Sequence, residues 1–300
     1  MQVVKIIFRG VGQVMFQNNA LSGLLMLAGI AVGDWRAALL ALAGNIVGNA
    51  TALLCRYSQQ DIRDGLYGFN GTLVGIAAGV FFSFGWSSML LLVAGSMIST
   101  WLAHLFQLIR KPGYTAPFIV ATWLLLGTAQ MFPSLRLTGA EAIPATTPQW
   151  LQAFSFNVGQ VMFQGASVVT GFLFLAGIAV NDRRGLLYAL WGALLPMGTI
   201  LLLNDYAAFN AGLYGYNGVL CAIALAGAGG KDFLWATVAV VLSVALQWFG
   251  MAVGAVTLTA PFVLSVWIVL ALKGIRLKEG PLHKVISVSY THLTLPTNSL

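Results

Sequence analysis

Gln13 and Gln160 hold the same place in two identical hexapeptides, GQVMFQ at 12–17 and GQVMFQ at 159–164. A primary amide offers an acceptor oxygen and two N–H donors without carrying charge, so it can trade hydrogen bonds with a neutral solute. Three residues after each glutamine stands a ring, Phe16 or Phe163, which on a helix shares the amide's face. Phe69 with Leu73, and Tyr216 with Leu220, are four apart and likewise share a face. Thr115 and Thr259 open two TAPF stretches and add hydroxyls. Together these groups can replace the water around a small, flat, uncharged molecule. The same groups can instead join helices to one another.

Catalysis asks for other residues. General acid–base work needs ionisable groups in a sheltered cluster, and a metal needs several His, Cys, Asp or Glu side by side. The eight acids, Asp34, Asp61, Asp64, Glu141, Asp182, Asp205, Asp232 and Glu279, all read as loop or segment-end residues, leaving no proton relay. His104 stands alone in an apolar stretch and reads as a packing or interfacial residue. Cys55 and Cys221 lack CxxC or His companions and read as small buried apolar groups. No enzyme, metal or cofactor is expected. Asn45 and Asn49 read as helix-joining amides, while Asn70 and Asn217 sit with glycines in GLYGFNG (65–71) and GLYGYNG (212–218). Such motifs predict broken or half-spanning helices that line a cavity.

The elements that must carry these groups are membrane helices. Of 300 residues, 59% are apolar or aromatic and 8% are charged, which excludes a water-exposed surface. The 34 glycines suit close helix contact in lipid. Ten apolar segments are expected, at 10–33, 35–55, 65–85, 88–108, 114–132, 152–180, 185–203, 212–228, 232–252 and 257–272, each crossing once. Connections then alternate sides, and 13 of the 15 Lys and Arg fall on the side of the N-terminus, leaving Arg36 and Arg136 opposite. Both termini are therefore expected in the cytoplasm of a cell (inner) membrane protein, and the net charge of +7 reflects orientation, not nucleic-acid binding. No cleavable signal peptide is expected.

The chain is written twice. GQVMFQNNALSGLLMLAGIAVGDWR matches GQVMFQGASVVTGFLFLAGIAVNDRR, and the GLYG and TAPF pairs follow in the same order. Five crossings per half is odd, so the halves enter from opposite sides as inverted repeats about an axis in the membrane plane. The expected organisation is a first membrane repeat at 1–132, an extracytoplasmic linker at 133–150 and a second repeat at 151–275. Residues 276–300 form a C-terminal tail, SVSYTHLTLPTNSL at its end, expected to be partly non-native.

GQVMFQNNALSGLLMLAGI, the paired LYGFNG and LYGYNG, and the paired TAPF together resemble the urea transporter family, over roughly residues 5–275. The resemblance implies an all-α polytopic fold of two inverted five-helix repeats, each with a re-entrant half-helix, around a central pore in each protomer of a homotrimer. It implies channel-like, passive permeation of urea down its gradient, with membrane lipid as surroundings. Gln13 and Gln160 would be outer amide ligands. Phe16 with Phe69 and Phe163 with Tyr216 would form aromatic slots beside Leu73 and Leu220, and Thr115 and Thr259 would line the narrow middle. Tyr216 departs from the Phe usual in bacterial relatives, so its hydroxyl is expected to narrow its slot or give urea a further partner. The alternative cargo is another small neutral solute. Ammonia would want paired histidines and water an Asn-Pro-Ala signature, both missing here; short amides remain open.

Overall fold

The computed structural model describes residues 2–132 and 145–276 and is all-helical. The first half contains α1 (Gln2–Gln13), α2 (Ala20–Gly33), α3 (Trp35–Leu54), α4 (Gln59–Arg63), α5 (Phe69–Phe81), α6 (Trp86–Leu108) and α7 (Ala116–Gln130). The second half contains α8 (Trp150–Gly159), α9 (Val168–Asn181), α10 (Arg183–Leu194), α11 (Ile200–Leu203), α12 (Tyr206–Asn210), α13 (Tyr216–Ala224), α14 (Gly230–Ala252) and α15 (Ala260–Arg276). Most of the expected linker, 133–144, and all but the first residue of the tail lie outside the described residues.

Among the described residues, four stretches are long and apolar enough to cross a bilayer: Trp35–Leu54, Trp86–Leu108, Arg183–Leu203 and Gly230–Ala252. Within the third, Pro196 interrupts the ladder and residues Leu195–Thr199 tighten into 3₁₀ geometry. The remaining apolar helices are shorter. At 1.5 Å per residue, α5 reaches about 20 Å and α13 about 14 Å, well under the roughly 30 Å hydrocarbon thickness. Their residues Asn70–Ala78 and Tyr216–Ile223 are buried all round, as a helix enclosed by other helices must be. α5 packs on α3, α6 and α7; α13 packs on α10, α14 and α15.

The segments 10–33 and 152–180 do not cross as single helices, contrary to expectation. Each breaks at GQVMFQ. Phe16 (φ 63°) and Phe163 (φ 59°) adopt left-handed conformations, and the chain folds back so that Gln17 N donates to Gly12 O at 2.9 Å and Gln164 N to Gly159 O at 3.0 Å. A Cβ on Gly12 or Gly159 would lie 2.4 Å from the carbonyl oxygen of Gln17 or Gln164, so only glycine fits there. The second glutamine of each hexapeptide then closes the turn, with Nε2 donating to Met15 O (2.8 Å) or Met162 O (3.0 Å). The next helices start on side-chain caps: Asn19 accepts from Leu21 N and Ser22 N, and Ser167 from Val169 N. The duplicated hexapeptide is thus a helix-ending turn.

The halves meet along α2 and α9 and, more narrowly, α7 and α15. Thr170 Oγ1 donates to Gly29 O at 2.8 Å and Asn181 Nδ2 to Gln17 Oε1 at 2.9 Å. Two tryptophans reach across in reciprocal fashion: Trp123 Nε1 donates to Val256 O and Trp267 Nε1 to Pro112 O, both at 2.8 Å. The sequence pairs Trp123 with Trp267 and Pro112 with Val256, so each contact is the other with the halves exchanged. Asn45 joins helices as expected, its Nδ2 donating to Thr72 Oγ1 (2.8 Å) and Ile7 O (3.2 Å); Asn49 does not, because its Nδ2 donates to Asn45 Oδ1 (2.9 Å) on the same helix.

Candidate substrate-binding site

The backbone turns above place the first glutamine of each hexapeptide at a helix end. Gln13 Nε2 donates to Asp64 O at 2.9 Å, and Gln160 Nε2 donates to Ala211 O at 3.0 Å. Asp64 and Ala211 are equivalent positions, 147 residues apart like the glutamines, so the two amides are held in the same way. Because the partner in each case is a carbonyl, the NH₂ end must face it, and the orientation of the amide is fixed. Neither Oε1 accepts a bond from the described residues. Each half therefore presents one unused amide acceptor.

Gln13, Phe16, Phe69 and Thr115 line one cavity of about 60 Å³ with Val14, Leu66, Pro112 and Tyr114. A single water needs on the order of 10–15 Å³ by this measure, so the space suits one small solute or a few waters. Gln13 and Phe16 reach it from a helix end and a turn, not from one helical face as expected from spacing. Phe16 stands edge-on to Tyr114 and Phe262, with ring centres 6.0 and 6.1 Å away. Phe163 makes the exchanged contact with Phe118 at 6.1 Å and adds Phe81 at 6.0 Å. Leu73 and Leu220 are fully buried in the core.

At the centre Thr115 Oγ1 and Thr259 Oγ1 lie 2.7 Å apart and share a hydrogen bond between the halves. Both are buried, and the contact leaves no gap for a solute between them. Each threonine precedes a helix with proline in its first turn, where the missing N–H costs nothing. One N–H of each of those turns finds its partner on α5 or α13: Asn70 Oδ1 accepts from Phe118 N and Asn217 Oδ1 from Phe262 N, both at 3.1 Å. These bonds tie each FNG or YNG motif to its TAPF. The asparagines were legible as buried polar residues, but their role as clamps was not.

Two expectations are corrected here. Asp64 is buried, 2% exposed, because Gln60 Nε2 (2.7 Å) and Asn18 Nδ2 (3.3 Å) donate to its carboxylate and Arg9 Nη1 stands 3.7 Å away. It sits at a segment end as expected, at the end of α4, but as a buried, paired and hydrogen-bonded acid beside Gln13. The Tyr216 hydroxyl points away from service to a solute. It donates to Leu258 O at 2.6 Å and lies 3.2 Å from Gln247 Oε1 and 3.4 Å from Thr257 Oγ1. His104 packs as expected, stacked on Tyr57 at 3.7 Å between ring centres and 3.2 Å from the Tyr67 hydroxyl. Both cysteines are free thiols; Cys221 is buried, while Cys55 is exposed, unlike the buried group expected from the sequence. No group of three or more metal-ligating side chains occurs among the described residues.

The four stretches long and apolar enough to cross a bilayer, with the shorter apolar helices beside them, define a multi-pass membrane protein. A family model described as urea transporter matches residues 4–274. The chain belongs to the urea transporter family. It is 35% identical to urea transporter 1 of Rattus norvegicus over 246 residues, 76% of this chain and 64% of that protein. It is 30% identical to urea transporter 1 of Ovis aries over 316 aligned positions, 95% of this chain and 81% of that protein. The match to Mus musculus urea transporter 1 is 33% over 246 residues and again covers 64% of the relative. The chain thus spans under two thirds of the length of the rodent relatives.

Proposed function

We propose that the chain lets urea pass through the membrane down its gradient, without a coupling ion or ATP. The observation that carries this reading is the pair of Gln amides, each locked by its NH₂ end to a backbone carbonyl and each leaving its oxygen without a donor among the described residues. Urea is planar and neutral, with four N–H donors and one acceptor, and stripping its water without replacement costs several kcal/mol. An amide oxygen accepts an N–H bond, and flat apolar rings enclose the molecule's faces. In this reading Gln13, Phe16, Phe69 and Leu73 receive urea at one end, and Gln160, Phe163, Tyr216 and Leu220 at the other. Thr115 and Thr259 exchange their mutual bond for bonds to the solute as it crosses the middle. Several weak positions in sequence favour release over retention.

Inverted halves, with an axis in the membrane plane, are supported by the repeated sequence and by the exchanged tryptophan and phenylalanine contacts. Cytoplasmic termini are supported by the distribution of Lys and Arg. The homotrimer follows from the family resemblance.

The test is uptake of labelled urea into proteoliposomes. Uptake is expected with no proton or sodium gradient and unchanged by ionophores. Uptake that requires either gradient rejects the uncoupled mechanism, and a protein that passes glycerol or water as readily as urea rejects the assigned cargo.

A further inference from the structure

A second cavity, about 390 Å³, opens beside the start of α1 and is lined by Gln2, Lys5, Ile6, Arg9 and Arg63. Its volume falls in the range of small-ligand sites. Lys5 and Arg9 are four apart on α1 and share a face. Neither Lys5 nor Arg63 has a carboxylate partner among the described residues, where the ion pairs are Arg9–Asp64 and Lys273–Asp232. The carboxylate paired with Arg9, Asp64, is buried and already accepts from Gln60 and Asn18. Three cations therefore face a cavity with one buried counter-charge that is already hydrogen-bonded elsewhere.

Arg9 shows what is missing. Its Nη1 donates to Arg63 O at 3.0 Å, while its Nε is buried with no acceptor. The Nε–Nη2 edge of a guanidinium is the edge that takes two oxygens of a phosphate or carboxylate. Beside this cluster Val3 and Val4 are 68% and 52% exposed, so the same helical turn offers an aliphatic surface. A basic helix end with exposed aliphatics is suited to the boundary between headgroups and acyl chains.

We propose that this cavity binds a phosphate group, supplied by the headgroup of an acidic glycerophospholipid. Arg9 and Arg63 take the phosphate oxygens, Lys5 adds charge, and Val3 and Val4 meet the upper acyl chain. Free phosphate would engage the same cations and leave the valines bare. None of the lining residues lines the cavity at Gln13, so the inference stands apart from the urea reading.

Native mass spectrometry of the full chain in neutral detergent tests it, with phosphatidylglycerol and phosphatidylcholine added in equal amounts. Wild type is expected to retain phosphatidylglycerol in preference. Lys5→Gln and Arg63→Gln should each lower that retention by about fivefold, the effect of one cation near an acidic headgroup, and the double variant should abolish the preference. Both positions are exposed, and melting of each variant in the lipid-free detergent checks its fold. Lys231→Gln, remote from the cavity, should bind as wild type does. Displacement of the lipid by excess inorganic phosphate would overturn the lipid source and assign the phosphate site to the free anion. Equal retention of the two lipids, or a double variant that binds like wild type, would overturn the site.

Discussion

The neighbourhoods of Gln13 and Gln160 share a backbone and differ in what stands behind it. Both have the glycine-closed turn, the left-handed Phe, the amide locked on a carbonyl, and the Asn clamp to a proline-started helix. Behind Gln13, Asp61 in the short helix α4 and Asp64 just after it correspond to Ala208 in α12 and Ala211 just after it. Behind Gln160, Tyr216, Asn217, Gln247 and Thr257 share a hydrogen-bond network, in which Thr257 Oγ1 donates to Gln247 Oε1 at 2.8 Å and Asn217 Nδ2 reaches it at 3.2 Å. The first-half counterpart, Asn70 Nδ2, is buried with no partner among the described residues. What duplication has kept is the geometry that presents two acceptors. The supporting polar layer has been free to become acidic in one half and amide-rich in the other.

The largest expected effect tests the shared part. Gly12→Ala and Gly159→Ala force a methyl group to 2.4 Å from a carbonyl oxygen, so each should cost about 2–4 kcal/mol of stability, and nearly equally. Melting in detergent reads it; a tolerated alanine in one half alone would break the equivalence. Next, Gln13→Leu and Gln160→Leu each remove one acceptor. A lost hydrogen bond of about 1.4 kcal/mol lowers urea flux roughly tenfold. Stopped-flow or tracer uptake should show similar losses, and flux unmoved by both changes would strip the glutamines of their role.

Smaller effects address the difference between halves. Tyr216→Phe leaves Leu258 O without its donor and should cost about 1–2 kcal/mol of stability while flux stays near wild type. A large flux change there would mean that the hydroxyl serves the solute after all. The smallest effect lies on α4. Burial raises the carboxyl pKa of Asp61, and Asp64's charge adds to this, while Ser58's hydrogen bond and His104 oppose it. A raised folded-state value means the folded chain holds the proton more tightly. That stability is complete below the ordinary value of 3.8 and is lost as pH rises through the folded value. Asp61 is only half buried, so the increment is a fraction of a kcal/mol. Asp61→Asn should abolish it in pH-dependent melts, and Ala208→Asp gives the reciprocal exchange.

Much of this site was readable from residue order. The duplicated GQVMFQ, GLYG and TAPF stretches pointed to Gln13, Gln160, Thr115 and Thr259, and the cavity gathers Gln13 with Phe16, Phe69 and Thr115, though Gln13 and Phe16 reach it from a helix end and a turn and not from the shared face that their spacing suggested. The break at GQVMFQ was not readable, because a phenylalanine at positive φ carries none of the usual glycine or proline signal. The turn is held by local returns of the chain to Gly12 and Gly159, five residues back, which look like ordinary helix glycines in the sequence. Asp64 was misread for a different cause. Local order places it in a connection, whereas its partners Asn18 and Arg9 arrive from 46 and 55 positions earlier. Tyr216 finds Gln247 in the same way, 31 residues along. Contacts of that range obey three-dimensional packing, to which hydropathy patterns are blind.

The reciprocal latch of Trp123 on Val256 and Trp267 on Pro112 has a consequence for ancestry and for engineering. A seam closed twice by one kind of indole grip needs no covalent tether to choose its partner. We predict that a gene severed between codons 132 and 145, expressed as two polypeptides, yields a nicked assembly that co-purifies and still admits solute. Trp123→Phe and Trp267→Phe together should let the pieces drift apart on gel filtration. If the severed pieces never associate, a lone ancestral half could not have worked by docking onto its own twin.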